Sequence, residues 1–501
     1  MSRRTRRIDT LASPNPIDPH TVPTRTRLAF GVGASAEAMC LYSVAVLGML
    51  FYNQVHGLNV LMAGLVPTIA IFVDAISDPL IGSLSDRFRN RRWGRRHPFM
   101  LVAPAPIAVS FYCVFSPPAN LPEWELFAWF LGWSISLRTF MTLYHVPHLA
   151  LGGELSKAYT ERSKIMSYNN FFGWLGGAGV FKVNTVVFFA SAGLAGNGLL
   201  NGESYPAFAI TIATTIVLVL FASAWFTRDR IPTLPQPPED LPKFSFQTFI
   251  SDLVGAFSNR NYLMLMIAFF LLSLMLGVRT ALSNYMNIFY WELPARDIGT
   301  LIFIGSFIGY ATGFLFSARL HHVFDKRATI VATAIGLSVF PALPVILRLA
   351  DTFPENGSDW LLPAIVFFQI FSSGCGSILN ISVMSALADI ADENEMRLGH
   401  RQEGTLYAAR TFFAKLDNSI GHGIASLSLW LIAFPDNARP GEVESSTIWW
   451  LGMIDSPITI IPGLIAAVFY AQYRINRKSY EETQSRLASR RAGLPGGARE
   501  H

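Results

Sequence analysis

The chain has 501 residues, 51% of them hydrophobic and only 15% charged, with a mean hydropathy of +0.37. Soluble domains carry about 25% charged residues, so this balance excludes an ordinary water-soluble enzyme or binding module and points to a polytopic membrane protein. The formal net charge of +5 comes with no nucleic-acid motif, and no nucleic-acid partner is expected.

Residues 1–27 are rich in Arg and Pro and lack an apolar core with a small-residue cleavage site, so they read as a cytoplasmic tail and not a signal peptide. A window of about 19 residues then gives twelve candidate helical spans. They run roughly over 28–52, 61–84, 98–117, 125–152, 166–190, 206–226, 261–290, 298–317, 328–350, 361–388, 404–433 and 447–471. Lys and Arg crowd the tails and the loops on one side, while the loops on the other side hold only Arg296 and Arg439. By the positive-inside rule both termini are expected in the cytoplasm, in a multi-pass cell (inner) membrane protein. The longest internal break, 227–260, contains a Pro-rich run from Pro232 to Pro242. Phe249, Ile250, Leu253, Val254 and Phe257 follow at helical spacing, which predicts a short amphipathic helix on the inner surface. The expected organisation is a six-helix bundle over 28–226, this linker, a second six-helix bundle over 261–472 and a tail over 473–501. That is the layout of two-bundle secondary transporters, with substrate near the midplane between the halves.

The first span carries Glu37. The second carries Asp74-Ala-Ile-Ser-Asp-Pro79 inside an apolar run. Charge at that depth costs at least ~2.5–3.5 kcal/mol, so two acids there need a partner or a purpose. Asp74 and Asp78 share a helix face, Ser77 flanks them, and Pro79 leaves the Ala75 carbonyl without its helical donor. Hard oxygens in this arrangement suit a small cation or a proton. The loop that follows, Ser85 to His97, holds six arginines. It serves as a positive-inside anchor, and Asp86, Arg87, Arg95 and Arg96 are candidate members of a cytoplasmic charge latch.

The fourth span places Arg138, Thr142, His145 and His148 along its length, the last three at i+3 spacing, which favours a cavity over lipid. Thr142 is expected at about the depth of Asp74. The fifth span has Asn169, Asn170, Trp174 and a glycine cluster that allows close helix approach. Trp174 offers a stacking face to a sugar ring, although ordinary packing also accounts for a tryptophan. In the second half, Asp389 and Asp392 lie at the inner end of the tenth span among charges expected to be salt-bridged. Lys415 lies deep in the eleventh span and needs a carboxylate: Asp74 and Asp78 are at a compatible depth, with Asp417 and Asp455 as alternatives. Arg138, Lys182 and Arg279 are intramembrane cations with no partner assignable from sequence. The cysteines Cys40, Cys113 and Cys375 have neither metal nor disulfide spacing.

Taken in order, these segments resemble the glycoside–pentoside–hexuronide:cation symporters, the melibiose permease-like branch of the major facilitator superfamily. The resemblance rests on Gly31-Val-Gly-Ala34, Asp74-Ala-Ile-Ser-Asp-Pro79, Asp86-Arg87, and Arg92-Trp-Gly-Arg-Arg-His-Pro98. It continues through Pro147, Ala150-Leu151, Glu154-Leu155, Glu161-Arg162, Tyr168 and Phe171-Phe172, with Asp389 and Lys415 in the second half. It implies the all-α major facilitator fold of twelve transmembrane helices in two six-helix bundles. It also implies a cation site, for Na⁺ or H⁺, at Asp74, Ser77, Asp78 and Thr142, with Lys415 in a coupling role. The positions of the family's charged sugar ligands hold Ala38 (with Glu37 beside it), His145 and Asn170, so the sugar end is rebuilt. Glu37, His145, Asn170 and Trp174 are the candidate substrate residues. Glu154, Arg162, Asp389 and Asp392 join Asp86, Arg87, Arg95 and Arg96 as the candidate cytoplasmic gate. His-Val-Pro in the fourth span also resembles the sodium-dependent lysolipid transporters of the same branch.

The expected function is symport of a sugar or glycoside with Na⁺ or H⁺ by alternating access; the alternative is a lysolipid or other amphiphile carried on the same fold. No enzymatic activity and no cofactor beyond the coupling ion are expected, and the carrier is expected to work as a monomer in the lipid bilayer.

Overall fold

In the computed structural model the described residues are 22–90, 92–156, 159–191, 196–234, 257–398, 403–475 and 477–491, with positions 247 and 255. The amphipathic helix expected over 249–257 falls almost wholly outside them. The described secondary structure is helical, and it follows the predicted spans closely because long apolar stretches in a bilayer must satisfy their backbone internally.

Among the described residues, eight helices are long and apolar enough to cross a membrane: Thr24–Val55, Val60–Arg87, Glu123–Glu154, Gly202–Thr233, Arg260–Tyr290, Ala295–Ser317, Leu361–Met396 and Ser445–Tyr470. A ninth pass is bent by 45° between Lys326–Val339 and Leu343–Leu349, where Pro344 interrupts the backbone ladder. The three remaining predicted spans are helical but depart from that test for local reasons. The third is split at Ala103 before Pro104, into His97–Val102 and Pro104–Val114. The fifth runs through Tyr159–Trp174 and Val180–Val187, with a wide π-type turn at Leu175–Gly179. The eleventh, Glu403–Leu431, carries many polar side chains.

The first six spans pack mainly on one another, and so do the last six. Between the two groups, the second span packs along the eleventh, the fifth along the eighth and the first along the seventh. Within the first group, Gly176 sits on the first span so closely that a Cβ there would lie 2.1 Å from the Ser35 carbonyl oxygen. The glycine run of the fifth span therefore sets how near the wall carrying Asn170 and Trp174 approaches the one carrying Glu37. Apolar side chains remain exposed around the outside, as a lipid-facing surface requires, while a separate apolar cluster fills the second group.

Candidate cation and substrate site

Asp74 and Asp78 meet the fourth span at Thr142. The Thr142 hydroxyl lies 2.6 Å from Asp74 Oδ1 and 3.1 Å from Asp78 Oδ1. The Ser77 hydroxyl turns back onto its own helix, donating to the Asp74 carbonyl at 3.1 Å, and lies 3.4 Å from Thr142 Oγ1. Lys415 reaches across from the eleventh span. Its Nζ is 2.8 Å from Asp74 Oδ2 and 2.5 Å from Asp78 Oδ2. Asp417 and Asp455, the alternative partners considered for this lysine, are not the groups it meets. Arg138 Nη1 also reaches Asp74 Oδ2, at 3.4 Å. Two carboxylates thus face an ammonium and a guanidinium, and the ammonium comes from the opposite half of the molecule. Sequence reasoning left Arg138 without a partner. The signal was available, since Arg138 stands one turn before Thr142 on the same face.

One turn beyond Thr142, His145 leaves this cluster and enters a cavity of about 300 Å³. Glu37, His145, Asn170 and Trp174 all line it, together with Asn169 and His148. His145 Nδ1 is 2.5 Å from Glu37 Oε1. His148 belongs to the scaffold: its Nε2 pairs with the Phe30 carbonyl oxygen at 2.9 Å, and its ring stacks on Phe30 at 4.3 Å. Trp174 packs against Phe303 and Phe307 of the eighth span, with ring centroids 5.3 and 5.2 Å away, so the packing reading of this residue holds in part. Its indole Nε1 and the Asn169 Oδ1 are buried without a partner among the described residues. Buried polar atoms of this kind normally find a hydrogen bond. Asn169, a neighbour of the predicted Asn170, thus joins the cavity wall.

The remaining candidates form separate clusters at the end of the molecule that bears residues 22 and 491. Glu154 Oε1 accepts from Arg95 Nη2 and Arg96 Nη2, both at 2.7 Å, and Arg96 Nη2 lies 2.5 Å from Asp86 Oδ1. This ties the end of the second span to the end of the fourth. Arg162 Nε donates to the Ser156 carbonyl at 2.7 Å. Arg87 closes the last turn of the second span. Asp389 pairs with Lys326 of the ninth span at 2.5 Å and accepts from the Tyr473 hydroxyl at 3.2 Å, while Asp392 accepts from Gln484 Nε2 at 2.7 Å. Each of these contacts stays within one half.

At the opposite end the halves are tied together, chiefly by groups that sequence reasoning did not single out. Asn53 Nδ2 donates to Asp436 Oδ1 at 2.5 Å, Gln54 Nε2 to the Pro435 carbonyl at 3.0 Å, and the Ala438 N–H to Gln54 Oε1 at 2.8 Å. The Tyr285 hydroxyl reaches Asn53 Oδ1 at 2.9 Å, and Asn284 Nδ2 reaches the Val46 carbonyl at 2.7 Å. Lys182 donates to the Arg296 carbonyl at 2.9 Å and to Thr300 Oγ1 at 2.6 Å. Arg279 stays within the second half, 3.1 Å from Asp455 Oδ2, and also donates to the carbonyls of Asp455 and Pro341 at 2.9 and 3.1 Å.

Comparison with known proteins fits this geometry. An uncharacterised symporter of Synechocystis is 25% identical, over 93% of this chain and 96% of its own. The putative glycoside/cation symporter YagG of Escherichia coli is 22% identical, over 92% and 93%. The sodium-dependent lysophosphatidylcholine symporter 1-A of Danio rerio is 21% identical, over 93% and 88%. Among solved structures, the inward-open xylose transporter XylE of Escherichia coli superposes with a TM-score of 0.60 at 14% identity, over 92% and 98%. That likeness establishes the major facilitator fold. The family model described as MFS/sugar transport protein matches residues 29–477, and the chain belongs to that family of membrane symporters.

Proposed function

We propose that this carrier moves a sugar or glycoside together with Na⁺ or H⁺, with the substrate in the cavity walled by Glu37, His145, Asn170 and Trp174. The observation that carries the reading is the adjacency of two chemically different sites along one helix. Thr142 touches the acid pair, and His145 lines the cavity one turn later. A cavity of about 300 Å³ sits at the lower end of small-molecule pockets. It suits a sugar ring better than the long tail of a lysolipid. Carboxylate, imidazole, amide and indole groups match the hydroxyls and apolar face of a sugar.

The acid pair and Lys415 form the coupling switch. With Lys415 in place the acids are neutralised from within, and the second and eleventh spans are held together across the halves. A cation arriving at Asp74 and Asp78, with the Thr142 hydroxyl as a further oxygen, takes over the role of the ammonium. Lys415 is then released, and the relation of the two halves changes. Substrate and cation each favour the arrangement that the other needs, which is the reciprocal linkage symport requires. The Asn53–Asp436 end faces outward and both termini face the cytoplasm, so the described arrangement is closed to the outside. A potential of 100 mV supplies about 2.3 kcal/mol per charge moved, roughly fiftyfold accumulation.

The test is uptake and counterflow in proteoliposomes over panels of sugars and lysolipids, with Na⁺ or a pH gradient supplied separately. Asp78→Asn is expected to retain counterflow and lose ion-driven accumulation. Accumulation that survives in Asp78→Asn removes the acid pair from the coupling site, and counterflow of lysolipids without sugars overturns the substrate class.

A further inference from the structure

Asp417 is a carboxyl group that none of this machinery uses. It lies more than three turns into the eleventh span, which starts at Glu403. It has 0% exposure, and both of its carboxyl oxygens are buried without a partner among the described residues. Lys415 and Ser419 mark the face of that helix that meets the second span, through Asp74, Asp78 and the Thr68 carbonyl. Two residues from Lys415, Asp417 points to the opposite side. One turn further along this side, Gly421 meets the seventh span backbone to backbone. A Cβ on Gly421 would lie 2.7 Å from Gly277 Cα, and one on Gly277 would lie 3.4 Å from the Asp417 carbonyl oxygen. This close crossing, with the full burial of the side chain, closes the carboxyl off from bulk solvent.

Among the described residues, the charged groups nearest this turn on the surrounding elements have other partners. On the same helix, Lys415 holds Asp74 and Asp78, Arg410 donates to Asn380 Oδ1 at 3.0 Å, and His422 pairs with the Asn418 carbonyl at 2.8 Å. On the seventh span, Arg279 holds Asp455. The acids of the tenth span, Asp389, Asp392, Glu393 and Glu395, stand in its last turns near the chain-terminus end. An ionised carboxylate with neither countercharge nor water inside a membrane protein is far costlier than the neutral acid.

We propose that Asp417 holds a proton in this arrangement, forming a protonation site separate from the acid pair and sealed between the seventh and eleventh spans. That proton can leave only when the two helices part, so its exchange reports on their movement. The reading stands whether or not the substrate is a sugar.

The test is infrared spectroscopy of the reconstituted carrier at neutral pH in H₂O and D₂O, parent chain minus Asp417→Asn. The expected result is loss of one carbonyl stretch from an isolated protonated carboxyl, a band shifted by D₂O and unchanged by added Na⁺. Loss of carboxylate stretches instead, or no band lost, overturns the proposal. Asp417→Leu gives an independent reading. If the native group is a neutral acid without partners, an apolar replacement of the same branching melts close to the parent temperature, the relief of two unpaired oxygens offsetting the larger methyl groups. A markedly lower melting temperature or failure to fold means a charged, partnered carboxylate and also overturns the proposal.

Discussion

Removing Lys415 tests the coupling switch most directly. In Lys415→Gln the two acids lose contacts at 2.8 and 2.5 Å, made in a site where the Asp74 and Asp78 side chains are only 9% and 20% exposed. Breaking one side of a buried ion pair typically costs 3–5 kcal/mol, because the surviving charge stays buried. Arg138 remains 3.4 Å from Asp74 and offsets part of this loss. Asp78, the more exposed acid, retains some water. Both considerations place the expected destabilisation at the lower end, about 3 kcal/mol. The variant also leaves a vacant, negatively charged oxygen cage, so the coupling cation should restore what the lysine supplied. The assay is thermal unfolding of purified parent and variant in Na⁺ against choline at two pH values. The expected outcome is a lower melting temperature for the variant, recovered by Na⁺ or by acidification, with little response in the parent. An unchanged melting temperature, or a loss that neither cation repairs, refutes the view that Lys415 stands in for the coupling ion.

Three further outcomes are expected. Asn170→Ala should weaken substrate affinity in counterflow while leaving cation binding intact; an unchanged affinity and substrate profile removes Asn170 from the site. Arg279→Met should destabilise the second half by about 3 kcal/mol, since it strands the buried Asp455 and frees two carbonyls; thermal melting equal to the parent refutes that anchoring role. Asp436, in the loop before the twelfth span, has its carboxyl held above the usual range by burial, against a lowering hydrogen bond from Asn53. A raised folded value means that its contribution to the latch is full in acid and is lost as pH rises through that value. Thiol labelling of a Val55→Cys reporter, divided at each pH by the thiolate fraction, should therefore speed up with rising pH in the parent and stay flat in Asp436→Asn; the same corrected slope in both sinks this assignment.

The spans were legible in the sequence because the bilayer imposes a local rule: a backbone that crosses hydrocarbon must bond to itself, and long apolar runs record where it does so. Asp74, Asp78, Thr142 and Lys415 were legible for a related reason, since polar groups are conspicuous in such runs. The four proposed substrate residues were named with the help of the family resemblance, and they line one cavity. What the sequence could not determine is which distant helix each charge meets. Arg138, Lys182 and Arg279 read alike along the chain. The fold sends the first to Asp74, the second across the halves to the start of the eighth span, and the third to Asp455. The Asn53–Asp436 latch stayed hidden because its members are ordinary loop and helix-end residues far apart in the chain. Likewise, only tertiary packing separates Lys415 from Asp417, neighbours on one helix. A rotation of half a turn gives the lysine two carboxylates in the opposite half and leaves the aspartate beside a glycine crossing, with no partner among the described residues.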